Sequence, residues 1–71
     1  MQSLHPKKLR HSKWTAVHPE RKEKHFMITE VTFDDDGKVI SCVMEAVMTR
    51  REFQVEWRGL KDESMWRQGW V

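Results

Sequence analysis

Apolar and polar residues alternate with a period of two in the second half of the chain. Phe53, Val55 and Trp57 fall on one side of an extended chain, and polar residues separate them. Such alternation is typical of a half-buried strand. The run from residue 26 to residue 33 is rich in β-branched and aromatic side chains, which favour strands. These patterns predict strands near residues 25–33, 38–48 and 52–58.

A turn signature separates the first two of these strands. The run Asp34-Asp35-Asp36 closes on Gly37, and glycine accepts the positive φ that a tight turn requires. We therefore expect a hairpin at Asp34–Gly37, with residues 38–48 returning antiparallel to residues 25–33. Both faces of the returning strand are largely apolar, which is typical of the central strand of a curled sheet.

The segment 43–54 admits a second interpretation. It is rich in helix formers, and some of its apolar residues are spaced four apart, as on one face of a helix. We favour the strand, because the alternation from Phe53 onward has no place in a helix. Upstream, weak alternation predicts a short first strand at residues 13–17. Pro19 among polar neighbours predicts a loop or a brief turn of helix over residues 18–24.

These elements predict a mostly β fold: a small single-domain antiparallel meander of three to four strands. At this length the sheet acquires a core by curling into an SH3-like, partly open barrel. A short C-terminal helical turn follows, with Asp62 as its cap and Gly69 as its stop. We expect residues 1–11 to be a flexible basic arm and residues 12–71 to be the domain. The expected core comprises Trp57, Phe53, Val55, Ile28 or Phe26, Val43 and Val47, with Trp66 or Trp70 as a lid.

Four tryptophans are many for 71 residues, because each indole buries about 150–250 Å². They either form the core or grip a partner. Trp14 has polar neighbours and lies beside the basic N-terminal segment. We therefore expect Trp14 to be the exposed ring that stacks on a ligand.

Charge is distributed unevenly along the chain. Residues 1–25 carry seven Lys or Arg against two Glu, a net charge of +5, whereas residues 26–71 carry a net charge of −3. Such a split favours contact of the N-terminal third with phosphates or another acidic surface, although a solvated basic arm is the simpler alternative. The residues predicted to bind nucleic acid are Lys7, Lys8, Arg10, Lys13, Trp14, Arg21, Lys22 and Lys24.

Neither catalysis nor a metal site is expected. The four histidines lie six or seven residues apart, without the short paired spacing of structural zinc sites. His25 and Cys42 are the two candidate ligands that neighbouring strands bring closest, and two ligands do not close a site. Cys42 lies mid-strand, where a thiol behaves as a small hydrophobe. We expect a non-enzymatic protein without a cofactor.

The composition indicates a soluble cytoplasmic protein. Its single cysteine suits a reducing compartment, and its apolar runs are far shorter than a membrane span. Two functions remain open. The first is binding of RNA or a ribonucleoprotein through the basic arm and an exposed Trp. The second is a protein–protein adaptor on a larger bacterial machine, which would use an aromatic surface or a sheet edge.

Short motifs throughout the chain carry a family resemblance. They are His5-Pro6-Lys7-Lys8-Leu9, Ser12-Lys13-Trp14-Thr15-Ala16-Val17, Glu23-Lys24-His25-Phe26, Cys42, Glu45-Ala46-Val47, Trp57-Arg58, Leu60-Lys61-Asp62, Trp66 and Gly69-Trp70. With these motifs the chain resembles a small tryptophan-rich family of uncharacterised bacterial proteins, a domain of unknown function. The resemblance implies a bacterial cytoplasmic protein with one stand-alone domain, and it implies no activity.

Overall fold

Five antiparallel strands form one open sheet in the computed structural model, which describes residues 4–71. The elements are the 3₁₀ helix η1 (Pro6–Lys8), β1 (Lys13–Glu20), β2 (Glu23–Phe33), β3 (Val39–Ala46), β4 (Arg51–Gln54), the 3₁₀ helix η2 (Trp57–Lys61) and β5 (Trp66–Gln68). The strand order is β4-β3-β2-β1-β5: β1 to β4 form a meander, and β5 returns to pair with β1. The predicted mostly β, antiparallel fold is confirmed, with five strands rather than three to four. No helix in the described part of the chain has the length and apolar character needed to cross a membrane.

The hairpin at Asp34–Gly37 forms as predicted. A carboxylate oxygen of Asp34 accepts hydrogen bonds from the backbone N–H groups of Asp36 and Lys38, each at 2.9 Å. Gly37 has a φ of 80°, which a residue with a Cβ rarely adopts. The acidic run thus stabilises the turn, because the Asp34 side chain accepts hydrogen bonds from N–H groups that have no backbone partner there.

The predicted loop over residues 18–24 is wrong. β1 continues to Glu20 and β2 begins at Glu23, so the connection is only Arg21 and Lys22. Both have positive φ, 55° and 62°, as a two-residue type I′ turn requires. Pro19 lies where the pairing of β1 with β2 is irregular, between Thr15 and Glu20. A strand tolerates proline at such positions, because proline has no N–H to donate to the ladder.

The end of the chain also differs from the prediction. The strand expected over residues 52–58 stops at Gln54, and η2 follows it. In place of a helical turn over residues 62–69, a tight turn is held by Asp62, whose carboxylate accepts the N–H of Ser64 at 2.9 Å. β5 then pairs with β1. The helical interpretation of residues 43–54 is not adopted, because β3 and β4 occupy both ends of that segment.

The core lies on one face of the sheet. Its buried apolar residues are Leu9, Trp14, Phe26, Ile28, Cys42, Met44, Ala46 and Leu60. Leu60 belongs to η2, so the connection from β4 to β5 covers this face as it passes between the two edges of the sheet. The tryptophan with the smallest exposed fraction in the core is Trp14, at 1%.

Several expected core residues lie elsewhere. Phe26 and Ile28 are buried as predicted, whereas Val43 and Val47 are only half-buried. Val43 alternates with the buried Cys42 and Met44 and therefore occupies the opposite face of β3, whereas Val47 lies just beyond the end of that strand. Phe53, Val55, Trp57 and Trp66 are partly buried and pack against the core.

Residues 4–11, which belong to the predicted flexible basic arm, pack onto the sheet. Leu9 is buried, and Leu4 packs against the core. The His11 N–H donates to the Ile28 carbonyl at 2.7 Å, and the Ile28 N–H donates to Ser12 at 2.9 Å. The two leucines are thus covered while their basic neighbours Lys7, Lys8 and Arg10 stay exposed. Residues 1–3 of the predicted arm lie outside the described residues.

The sheet curls but stays open. The Phe26 ring in β2 makes edge contacts with Phe53 of β4 at 6.0 Å and with Trp66 of β5 at 5.2 Å between ring centroids. Both edge strands therefore bend over the middle of the same face. Strands β4 and β5 stand at opposite ends of the sheet order, so the curl does not close into a barrel.

Candidate functional site

Trp70 is the large aromatic side chain most available to a partner at the tryptophan-rich end of the chain. It is 42% exposed. The Lys13 ammonium lies 4.8 Å from the centroid of its ring, and the His25 ring centroid lies 5.9 Å away. Met27 and Arg50 border it in a shallow depression of about 190 Å³. We call these five residues (Lys13, His25, Met27, Arg50 and Trp70) the Trp70 surface.

Backbone and side-chain hydrogen bonds hold Trp70 in this position. Its indole N–H donates to the Phe26 carbonyl at 2.9 Å. On either side of Trp70, the buried Thr15 hydroxyl donates to the Gly69 carbonyl at 2.6 Å and accepts the Val71 N–H at 3.1 Å. The ring is therefore fixed before any ligand arrives, which lowers the entropy cost of binding.

Trp14 does not form this surface, contrary to expectation. Its ring is buried on the core face, and its indole N–H donates to the Ser12 hydroxyl at 2.8 Å. Lys13 and Trp14 are neighbours in β1, so their side chains project to opposite faces of the sheet. A base has no access to the Trp14 ring, and the exposed ring beside Lys13 is Trp70.

The predicted basic residues fall into two groups. Lys8 and Lys13 line one cavity of about 220 Å³, together with Leu9 and Trp14. Lys7 and Arg10 are exposed on the same N-terminal segment. The second group is Arg21, Lys22 and Lys24, all exposed at the turn between β1 and β2.

A cleft of about 330 Å³ opens on the core face, next to this turn. Phe26, Phe53 and Trp66 provide aromatic walls, and Arg21 and Arg51 lie among its polar residues. The Arg51 guanidinium also stacks on Phe53, 4.7 Å from the ring centroid. The cleft can take a flat or apolar group from outside the domain.

Glu23 and Arg51 form a bidentate ion pair in this cleft. Arg51 Nη2 donates to Glu23 Oε1 at 2.7 Å, and Arg51 Nε donates to Oε2 at 3.1 Å. The Thr49 hydroxyl adds a hydrogen bond at 2.5 Å. The bonds from Arg51 and Thr49 lower the pKa of Glu23 to about 2, although burial opposes that shift. Glu23, which lies between Lys22 and Lys24 in the sequence, is thus neutralised within the fold by Arg51.

His25 and Cys42 do not meet. Cys42 lies in the core, where burial and, to a lesser degree, the Glu56 carboxylate raise the pKa of its thiol. His25 lies on the opposite face, against Trp70 and within 3.0 Å of the Val71 backbone oxygen. Within residues 4–71, no group of three or more His, Cys, Asp or Glu side chains is placed to hold a metal ion.

Tryptophan is prominent in both the core and the exposed surface, and a comparison with known proteins finds a family that is described by the same feature. The family model described as Tryptophan-rich protein (DUF2389) matches residues 12–71. The chain belongs to this tryptophan-rich protein family. No curated protein and no solved structure matches it. The family match begins just before β1 and includes every residue of the Trp70 surface.

The sequence does not predict Trp70, Met27 and Arg50 as surface residues of this tryptophan-rich protein. The exposure of Trp70 follows from its position just beyond β5, which only the structure shows. Nothing local indicates that Arg50 approaches Trp70, since that proximity depends on the antiparallel pairing of β2 with β3.

Proposed function

We propose that this tryptophan-rich protein is a small, non-enzymatic, cytoplasmic module that binds single-stranded RNA, either free or within a ribonucleoprotein. The observation that carries the proposal is the partly exposed Trp70 ring with the Lys13 ammonium 4.8 Å from its centroid. A partly exposed aromatic ring with a cation over one of its faces suits an unpaired base and its phosphate. A single, buried cysteine supports a reducing compartment.

Stacking supports this function without requiring a particular base sequence. Every base has a π face, and stacking on an aromatic side chain contributes about 1–3 kcal/mol per base. His25 and Met27 extend the surface around Trp70 with a second ring and a polarisable side chain. We therefore expect RNA binding that tolerates many sequences.

Charge supplies the second part of the argument. Lys13 and Arg50 belong to the Trp70 surface, and the exposed Arg67 lies opposite Thr15 on the neighbouring strand β5. Glu45 borders the same depression as Arg50 and offsets its charge. The positive charge is therefore concentrated at Lys13 on β1 and Arg67 on β5. Phosphates bound there release counterions, and affinity then falls as salt concentration rises.

The test is fluorescence anisotropy with a short labelled oligouridylate. Trp70→Leu keeps an apolar side chain but removes the stacking ring, and we expect it to weaken binding about 5- to 150-fold. The matched control is Trp57→Leu. Trp57 is another partly buried tryptophan with a cation nearby, the Lys61 ammonium at 5.4 Å, but it belongs to η2. Equal affinity of the wild type and Trp70→Leu would contradict the proposal.

The adaptor function is distinguished by a second measurement. A tagged protein is used to capture partners from the native bacterium, with and without nuclease and at low and high salt. RNA-dependent partners should be lost after nuclease treatment. Partners that survive both nuclease and high salt, and that Trp70→Leu removes, would favour a protein-binding role for the same surface.

A further inference from the structure

The turn between β1 and β2 combines two features that a turn selected for stability would avoid. Arg21 and Lys22 both have positive φ, 55° and 62°, and both are exposed. Asn-Gly is the preferred pair for this type I′ geometry, because both residues adopt positive φ readily. Arg and Lys adopt it only at a cost in backbone strain.

The described residues compensate little for this strain: the Glu23 carboxylate attracts Arg21 electrostatically, without a hydrogen bond between them. Among the residues that the structure describes, neither the Arg21 nor the Lys22 side chain makes a hydrogen bond or an ion pair. Backbone strain that local contacts do not explain is concentrated at functional sites in proteins. The property that distinguishes this turn is therefore the positive charge that its two side chains carry.

The residues around the turn add to its excess of positive charge. Glu23 is only 4% exposed and is hydrogen-bonded to Arg51, so its attraction for Arg21 is secondary to that ion pair. Lys24 is exposed beyond it. Glu20 is the one exposed carboxylate at this end of the hairpin. Three cations thus face solvent against one anion.

We propose that the Arg21–Lys22 turn is a phosphate-binding element that contacts the backbone of the bound RNA. This inference rests on the proposed function and adds a second contact to the Trp70 surface. His25 belongs to that surface and lies three residues along the hairpin from Lys22, about 10 Å in an extended strand. Arg21 also lines the cleft on the core face, so a single strand stacked on Trp70 reaches the turn by passing around the end of the hairpin.

Two double variants separate strain from charge. Arg21→Asn with Lys22→Gly relieves the backbone and removes both charges. We expect its melting temperature to rise by about 4–8 °C if about 1 kcal/mol of strain is released. Arg21→Gln with Lys22→Gln removes the charges alone, and its melting temperature should stay at or below that of the wild type.

Binding is measured on the same proteins with labelled oligouridylate over a range of salt concentrations. Both double variants should weaken binding and reduce the slope of log affinity against log salt by about 1.4, the value for two lost contacts to a single strand. The control is Lys38→Gln with Arg58→Gln, which removes the same charge from the Asp34–Lys38 turn and from η2. Its slope should match that of the wild type.

The outcomes distinguish this inference from the proposed function. If the wild type binds in a Trp70-dependent manner but both turn variants keep its affinity and slope, the phosphate-binding role is refuted and the proposed function stands. If Arg21→Asn with Lys22→Gly gains no stability, the strain argument is refuted. If the wild type does not bind RNA, both proposals fail. An acidic protein partner that depends on Arg21 and Lys22 and survives nuclease would replace RNA as the ligand.

Discussion

Lys13 and Trp14 are adjacent in β1 yet serve opposite faces of the sheet. The Trp14 ring is 1% exposed in the core, whereas the Lys13 ammonium lies 4.8 Å from the centroid of the Trp70 ring on the other face. The strand places the two neighbours on different sides because side chains alternate with a period of two. Of these two consecutive residues, Trp14 therefore contributes to stability and Lys13 to the candidate binding surface, and each can be altered alone.

Trp14→Ala should destabilise the domain more than Trp57→Ala. Trp14 is a large, fully buried side chain, and its removal leaves a cavity that costs about 3–5 kcal/mol. This loss is comparable to the whole free energy of unfolding of a small domain. Trp57 is only partly buried and should cost less. Urea denaturation followed by circular dichroism provides the measurement, and equal losses would contradict the placement of Trp14 at the centre of the core.

Leu9→Ala tests whether the N-terminal segment is part of the folded domain. Leu9 is buried, and truncation of a buried leucine costs about 2–5 kcal/mol. The exposed Lys8→Ala serves as its control, with an expected change below about 0.5 kcal/mol. The His11 amide, which donates to Ile28, should also be protected from hydrogen exchange. A Leu9→Ala protein as stable as the wild type would support the flexible arm instead.

Glu23 should make stability depend on pH in the acid range. Its pKa falls from 4.5 to about 2 in the folded protein, chiefly because Arg51 and Thr49 donate hydrogen bonds to the carboxylate. A lowered pKa contributes stability that is fully present above pH 4.5 and is lost as pH falls toward 2. Melting temperatures measured across this interval should decrease less steeply in Glu23→Gln than in the wild type. Parallel curves would show that the ion pair does not form.

Cys42 should be an unreactive thiol in the native state. It is buried in the core, and burial raises the pKa of its thiol, so little thiolate is available to react. Modification by a colorimetric thiol reagent should be slow in buffer and fast in urea. If native Cys42 reacted as quickly as the unfolded chain, the core face of β3 would be accessible, in conflict with the structure.

The accuracy of sequence-based prediction varied from element to element for identifiable reasons. The hairpin at Asp34–Gly37 was predicted because its turn chemistry is local, and β2 was recognised from its β-branched and aromatic residues. The β1–β2 turn was missed because Arg21-Lys22 carries no turn signature, and irregular pairing accommodates Pro19. For the candidate site, Lys13 was identified from its charge, whereas its aromatic partner was assigned to the adjacent Trp14 instead of Trp70.

The sequence by itself determined the mostly β fold, the hairpin at Asp34–Gly37 and the family, because alternation, turn residues and short motifs are local properties of the chain. Only the tertiary structure decided which face of β3 is buried, since both of its faces are largely apolar. It also decided which tryptophan is exposed. That choice depends on the return of β5 beside β1, which places Trp70 against Lys13, 57 residues earlier in the chain. Contacts over such separations arise from packing as a whole, and no local pattern of residues encodes them.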